Sequence, residues 1–159
     1  MSKPPVIICQ AALADLAAVA ALERATFTSH AISPRQMRYL QKSPAAIFLI
    51  ARRFGELAGD AIALVRQHQG GRRSGRIYSL VVDPNHRGQK IGQKLMAALL
   101  RELARRGAKR IYLEVEESNH GAIRLYEQLG FKIVKPLHHY YGRGKHGVHM
   151  MKEEATPSR

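Results

Sequence analysis

Between Ile77 and Arg106 the chain passes from a β-branched and aromatic run, Ile77 to Val82, through Asp83-Pro84 into a loop of glycine and cations. That loop is His86-Arg87-Gly88-Gln89-Lys90-Ile91-Gly92. Apolar residues then recur at 91, 95, 96, 99, 100 and 103, one stripe of period 3.6. Gly107 ends the stripe, with Arg105 and Arg106 in the last turn where the helix dipole favours cations. A strand that feeds an amphipathic helix through so short a turn requires a sheet with helices packed on it. The turn also has a chemistry. The first amides of a helix lack internal acceptors and carry a partial positive charge, so they can hold a phosphate by main chain alone. A glycine lets the anion approach the backbone. Neither GxGxxG nor GxxxxGK[ST] is present. On these residues alone, a tight turn with incidental cations is an equal reading.

The remaining elements follow from periodicity and punctuation. The run Ala11 to Ala21 predicts a helix, with Asp15 in its first turn and Leu13, Leu16, Val19, Ala20 and Glu23 at roughly helical spacing. Ser33-Pro34 predicts a second helix start, an N-cap followed by proline at the first helical position. The runs 46–53 and 57–66 around Phe54-Gly55-Glu56 read as a hairpin. The segment 67–76 reads as a loop with solvated arginines. Further strands are expected at 111–115, 131–134 and 148–151, and a helix at 119–129 closed by Gly130. At 159 residues, with 45% apolar and 24% charged, the chain is one folded α/β or α+β domain.

No run of about 18 apolar residues exists, and the opening residues do not read as a signal peptide. A cytoplasmic protein with no membrane partner is therefore expected. Cys9 is the only cysteine, so neither an internal disulfide nor a cysteine zinc site is available. His138, His139, His146 and His149 lack a decisive metal spacing and read as strand-face residues. Lys plus Arg number 26 against 12 acids, a formal charge of +14. Such a surface attracts polyanions, and it disfavours polyamines and aminoglycosides unless a local acidic pocket exists. A basic RNA- or ribosome-binding module, using 66–76 with Arg101, Arg105 and Arg106, is the reading from another class.

Two stretches, 77–96 and 113–131, carry a family resemblance. One matches an acetyl-CoA loop signature (Arg or Gln, two residues, Gly, one residue, Gly or Ala) at Arg87 and Gly92. The other matches N-x-x-A-x-x-L-Y-x-x-x-G-F at Asn119, Ala122, Leu125, Tyr126, Gly130 and Phe131. Together they resemble the GCN5-related N-acetyltransferase (GNAT) family. Lys90 stands where the first glycine of the loop is usual. The resemblance implies one GNAT-type domain over 1–152 with a frayed tail at 153–159. Its sheet would be mixed and mostly antiparallel, of about six or seven strands, with helices on both faces and a splayed central strand pair. It implies acetyl-CoA as cofactor, its pantetheine arm beside Leu80, Val81 and Val82. The diphosphate would lie on Arg87, Gly88, Gln89, Lys90, Ile91, Gly92 and Gln93, with Asn119 and Tyr126 as further contacts.

For the reaction, the resemblance implies direct attack of an amine on the thioester in a ternary complex, without a covalent enzyme intermediate. Glu114 and Glu116 alternate with Tyr112 and share a strand face, so either can reach a bound amine. Leu113-Glu114-Val115 resembles the L-E-V element that carries the base in enzymes acting on protein N-termini, which favours Glu114. Tyr126 would serve the departing thiolate. The RimI-like subgroup, ribosomal-protein-alanine N-acetyltransferases, is the nearest in kind, and its tyrosine pair matches Tyr140 and Tyr141 as substrate contacts. Lys145-His146-Gly147 replaces the acidic element that follows the pair in that subgroup. The acceptor is then a primary amine, first of all a protein N-terminus. A small-molecule amine, a lysine, or a CoA-sensing role without turnover stay open, as do monomer and homodimer. Gly92→Glu, which brings bulk and negative charge to the helix start, should weaken CoA binding far more than Lys90→Ala in titration calorimetry; equal losses would refute the ranking.

Overall fold

In a computed structural model, residues 4–27 and 30–153 are described. Eleven regular elements longer than a single 3-10 turn follow one another there: β1 (Ile7–Gln10), α1 (Leu16–Thr26), α2 (Pro34–Lys42), β2 (Ala46–Arg53), β3 (Glu56–Gln67), β4 (Arg73–Val82), α3 (Ile91–Arg105), β5 (Ala108–Glu116), α4 (His120–Gln128), β6 (Lys132–Leu137) and β7 (Gly147–Glu153). The strands form one sheet in the order β1-β2-β3-β4-β5-β7-β6. Only β4 and β5 run parallel, because α3 carries the chain back across the sheet between them. Every other neighbouring pair is antiparallel. The expected mixed, mostly antiparallel sheet is therefore present with seven strands. No described helix is long and apolar enough to cross a membrane.

Two apolar layers sandwich the sheet. On one face Ile91, Leu95, Met96, Leu99 and Leu103 of α3 pack on Ile47, Leu49, Ile77, Ile111 and Leu113. The stripe read from the sequence is this buried face of α3. Two glycines let α3 settle closely: a Cβ on Gly59 would lie 3.1 Å from Leu95 Cδ1, and one on Gly75 would lie 2.6 Å from Leu103 Cδ2. On the other face Leu16, Val19 and Ala20 of α1 and Met37 and Leu40 of α2 cover Phe48, Ile50 and Ile62. The Ser33 hydroxyl caps α2 by accepting the Gln36 amide at 3.1 Å, with Pro34 in the first turn as its sequence predicts.

Several boundaries move. The first helix is preceded by a 3-10 turn, Leu13–Asp15, and runs on to Thr26; Asp15 accepts the Ala12 amide at 2.8 Å and pairs with Arg52. β1, not anticipated, is a short edge strand against β2. The loop expected over 67–76 shrinks to a tight connection, since Gln67 pairs with Arg73 and β4 starts there. Glu153, expected in a frayed tail, is the last residue of β7 and pairs with Arg110; 154–159 lie outside the described residues.

One buried polar contact ties α1 to the sheet. Glu23 and Asp60 are both fully buried, Glu23 on α1 and Asp60 on β3, and the Ser79 hydroxyl of β4 donates to Glu23. Neither Asp60 oxygen has a hydrogen-bond partner, and an ionised carboxylate so placed is costly. Burial, then the nearby Glu23 charge, hold the Asp60 carboxyl well above the usual carboxylate range and favour its protonated form. The folded state thus binds this proton more tightly than the unfolded chain. The contribution is full below the ordinary carboxylate range and is lost as pH rises toward the Asp60 value. Asp60→Asn, which stays neutral without a proton to lose, should raise the melting temperature at pH 8 and lose that advantage by pH 4; a gain that does not vary with pH would exclude a proton held on Asp60.

Candidate active site

β4 and β5 pair only from Arg73↔Ala108 to Ile77↔Leu113. Beyond that point they part, and the edge of β4 from Tyr78 to Val82 faces no strand. The cause is a bulge: Ile62 of β3 pairs with Ser79 and Ala63 with Ile77, so Tyr78 is an extra residue. Ile77 packs in the α3 layer, Tyr78 turns to the α1 layer, and Ser79 follows it there to reach Glu23. Leu80 and Val82 then return to the α3 layer. The gap opens into a cleft of about 780 Å³ lined from β4 by Arg76, Tyr78, Ser79 and Leu80, and from β5 by Leu113, Glu114, Val115 and Glu116. Glu23, Phe27 and His30 close the α1 side; Asn119, Ala122 and Tyr126 line it from α4, and Tyr140 and Tyr141 from the connection between β6 and β7.

At one mouth stands the start of α3. Lys94 is the first amide there with an intrahelical acceptor, the Lys90 carbonyl at 3.0 Å, and the Lys90 side chain caps nothing. The amides of 91–93 therefore point outward without partners, as at any uncapped helix start. Lys90 has φ +58°, the left-handed region. This accounts for the glycine usual at that position: a Cβ there is strained. Gly92 needs no such freedom, and a Cβ on it would meet Val82 Cγ2 at 3.5 Å, ordinary contact. Arg87, Gly88, Lys90 and Gln93 are exposed and Gln89 half-buried, whereas the Ile91 side chain lies in the core, leaving only its main chain to a ligand.

The other half of the cleft is electrostatically organised. Glu114, 15% exposed, is bracketed: Arg76 Nη2 lies 3.2 Å from Oε2 and His149 Nδ1 lies 3.4 Å from Oε1. The Arg76 guanidinium sits over the Tyr78 ring at 4.9 Å and donates to the Tyr140 hydroxyl at 3.4 Å. Tyr112 stacks on His149, fixing that ring behind Glu114. Glu116 is more exposed, at 34%, with His30 Nδ1 3.7 Å away. The His30 ring packs on Phe27 and Tyr141. Burial pushes the Tyr141 phenol up, with Tyr140, Glu114, Glu116 and Tyr126 adding to the effect. Burial alone pushes Tyr126 up to about 12. Its ring packs edge-on against Phe131.

Of the residues singled out by sequence, Leu80, Glu114, Asn119, Tyr126, Tyr140 and Tyr141 come together in this one cleft. Val81 is buried and faces Asp60 across the strand pair, and Val82 faces Gly59. Asn119 caps α4, accepting the Ala122 amide at 3.2 Å, and lines the cleft as well. Arg76 corrects the sequence reading: it is a strand residue inside the cleft, not a solvated loop arginine. No single-face alternation marked it, because the bulge at Tyr78 sends Leu80 and Val82 to the face opposite Tyr78, and glycines and arginines precede it. Glu23, Ser79 and His149 gave no local signal, since their partners are distant in sequence. Among the described residues no group of three or more side chains is arranged to hold a metal ion.

The model of the acetyltransferase (GNAT) family matches residues 16–131. Mycothiol acetyltransferase of Salinispora arenicola is 45% identical over 78 residues, 48% of this chain and 25% of that protein. The [ribosomal protein bS18]-alanine N-acetyltransferase of Escherichia coli K12 is 40% identical over 65 residues, 41% of this chain and 44% of that protein. The chain thus matches less than half the length of either. The crystal structure of a ribosomal-protein-alanine N-acetyltransferase from Brucella melitensis superposes with TM-score 0.80 and 25% identity, covering 93% of this chain and 99% of that one.

The strained Lys90 gives a direct test of the helix start. Lys90→Gly should stabilise the fold by about 1 kcal/mol, since relief of the left-handed Cβ strain exceeds the entropy lost by glycine. Thermal unfolding reads it, and a lower melting temperature would show that the lysine side chain is held by contacts that offset the strain.

Proposed function

The chain belongs to the acetyltransferase (GNAT) family, and on that premise we propose that it moves an acetyl group from acetyl-CoA to a primary amine by direct attack in a ternary complex, the favoured acceptor being a protein N-terminal α-amine. The observation that carries this is the slot between β4 and β5, with bare helix amides at one mouth and a bracketed carboxylate in the other half. The residues present fit the cofactor. The amides of 91–93, with exposed Arg87 and Lys90, suit a diphosphate. The unpaired edge from Tyr78 to Val82 suits the amide groups of a pantetheine arm, as a sheet edge takes an added strand. Acetyl-CoA supplies the activated acyl group, and the protein's part is positioning and proton management.

The proton balance assigns the two remaining roles. A free α-amine, with pKa about 8, costs roughly 1.4 kcal/mol to deprotonate at pH 7, against roughly 4.6 kcal/mol for a lysine. Glu114, held from both sides, attracts the ammonium and takes its proton directly or through water, a load far easier for an α-amine. Tyr126, with its phenol near 12, keeps its proton at every working pH. Full transfer to a thiolate of ordinary basicity, about 8.5, would be uphill by about 5 kcal/mol. Tyr126 therefore acts on the leaving sulfur as a hydrogen-bond donor. Tyr140 and Tyr141 frame the acceptor entrance beside Arg76 and His30.

A second reading has its own support. Glu23, Glu114 and Glu116 line the cleft against one arginine, so a locally acidic pocket exists inside a chain of charge +14. That condition admits a small polyamine acceptor. The cationic exterior suits acceptors attached to RNA, in a cytoplasmic protein acting as monomer or homodimer. A screen of peptides and small amines with thiol release as readout separates these acceptors. Tyr126→Phe and Glu114→Gln should each lower kcat about 10²-fold while leaving acetyl-CoA affinity nearly intact; unaltered turnover in either would remove that residue from the mechanism.

A further inference from the structure

Arg76 is not explained by attack on a thioester, which asks only for a positioned amine. Its charge is permanent, and it lies in the half of the cleft that receives the acceptor. Three contacts fix it: the Tyr78 ring beneath it at 4.9 Å, the Tyr140 hydroxyl at 3.4 Å and Glu114 Oε2 at 3.2 Å. Both polar contacts use Nη2, and the side chain remains 40% exposed. A guanidinium has five N–H donors, so others remain for a ligand. Glu114 likewise has lone pairs to spare, since Arg76 and His149 engage one oxygen each.

A donor and an acceptor thus stand side by side, about 3 Å apart, on one wall of the cleft. An α-amino acyl group carries the complementary pair: its amine nitrogen and its carbonyl oxygen are separated by three bonds and lie about 3 Å apart. Resting on the acetyl-transfer reading above, we propose that Arg76 reads the carbonyl of the acceptor's first residue while Glu114 receives its amine, so that the site selects α-amino acyl acceptors over simple alkyl amines. A lysine side chain or a polyamine has no carbonyl at that distance and engages Glu114 alone. Such an acceptor leaves Arg76 as a partly desolvated cation without added contact, and that sets the discrimination. The Glu114 bond need not break, because the acceptor's oxygen takes a different N–H.

The test compares two acceptors in one protein: an alanine-initiated tetrapeptide and its analogue with the first amide replaced by a trans-alkene, which keeps the shape but removes the oxygen, each kcat/KM being taken per neutral amine because the alkene amine is the more basic. The wild-type protein should prefer the amide by ten-fold or more in kcat/KM, the range of a hydrogen bond to a charged group. Arg76→Met should bring the ratio close to one, and Arg76→Lys should restore part of it. Because the ratio is taken within each protein, a general loss of activity cancels. Equal use of both acceptors by the wild type, or an undiminished ratio in Arg76→Met, overturns the proposal while acetylation of the tetrapeptide leaves the N-terminal reading standing. Acetylation of polyamines or lysine with no turnover of the tetrapeptide overturns both.

Discussion

The separation of β4 from β5 beyond Ile77 and Leu113 is the constraint on which the site depends. A parallel pair left to itself would continue its ladder, because each unpaired backbone group costs hydrogen bonding. Here the extra residue Tyr78 rotates the strand, and Ser79 is then held on the α1 side by Glu23. Glu23 in turn lies near the buried Asp60 of the adjoining strand. A bulge alone would tilt the strand; a buried bond to a helix on one face makes the tilt permanent. The cost is a pair of carboxyls out of water, one of which, Asp60, has neither oxygen hydrogen-bonded, the kind of local expense expected beside a functional cleft.

The parting also sets which layer supplies which chemistry. Through the slot the α3 and α4 side, with its helix amides, Asn119 and Tyr126, communicates with the α1 side, with Arg76, Glu114 and the tyrosine pair. Alternation along β5 enforces the division: Ile111, Leu113 and Val115 pack under α3, so Tyr112, Glu114 and Glu116 face the other way. Antiparallel β7 places His149 opposite Glu114 in register. The charge of +14 consequently describes the exterior only. The cleft has the opposite sign because three of the few acids point into it.

Legibility followed the range of the interactions. Ser33-Pro34, the 91–105 stripe, the hairpin around Gly55 and the Asn119 cap rest on contacts within a few residues, and all were readable from local order. β1 was not: four residues at a sheet edge have no periodicity to detect. The first half of β4 was hidden because Arg72, Arg73, Gly70, Gly71 and Gly75 signal a turn, whereas its strand state is imposed by the length of β3. Placing Arg76 in a loop followed from that one error. The union of Glu23 with Asp60 and Ser79, 37 and 56 residues away, is tertiary and leaves no trace in local pattern.

The choice between Glu114 and Glu116, level on strand geometry alone, turns on how each carboxylate is held. Glu116 is half in solvent, near one histidine at 3.7 Å, where water screens its charge and leaves its rotamer loosely set. Glu114 is drier and has a partner on each oxygen, so its plane is fixed before any acceptor arrives. A fixed carboxylate with free lone pairs needs no reorganisation to receive an ammonium, and low exposure strengthens that attraction. Under the proposed acetyl transfer, Glu114 orients the amine and passes its proton toward water, roles that its fixed position serves. Under that proposal the acceptor best matched to the site is the one whose ammonium is easiest to deprotonate, an α-amine before a lysine.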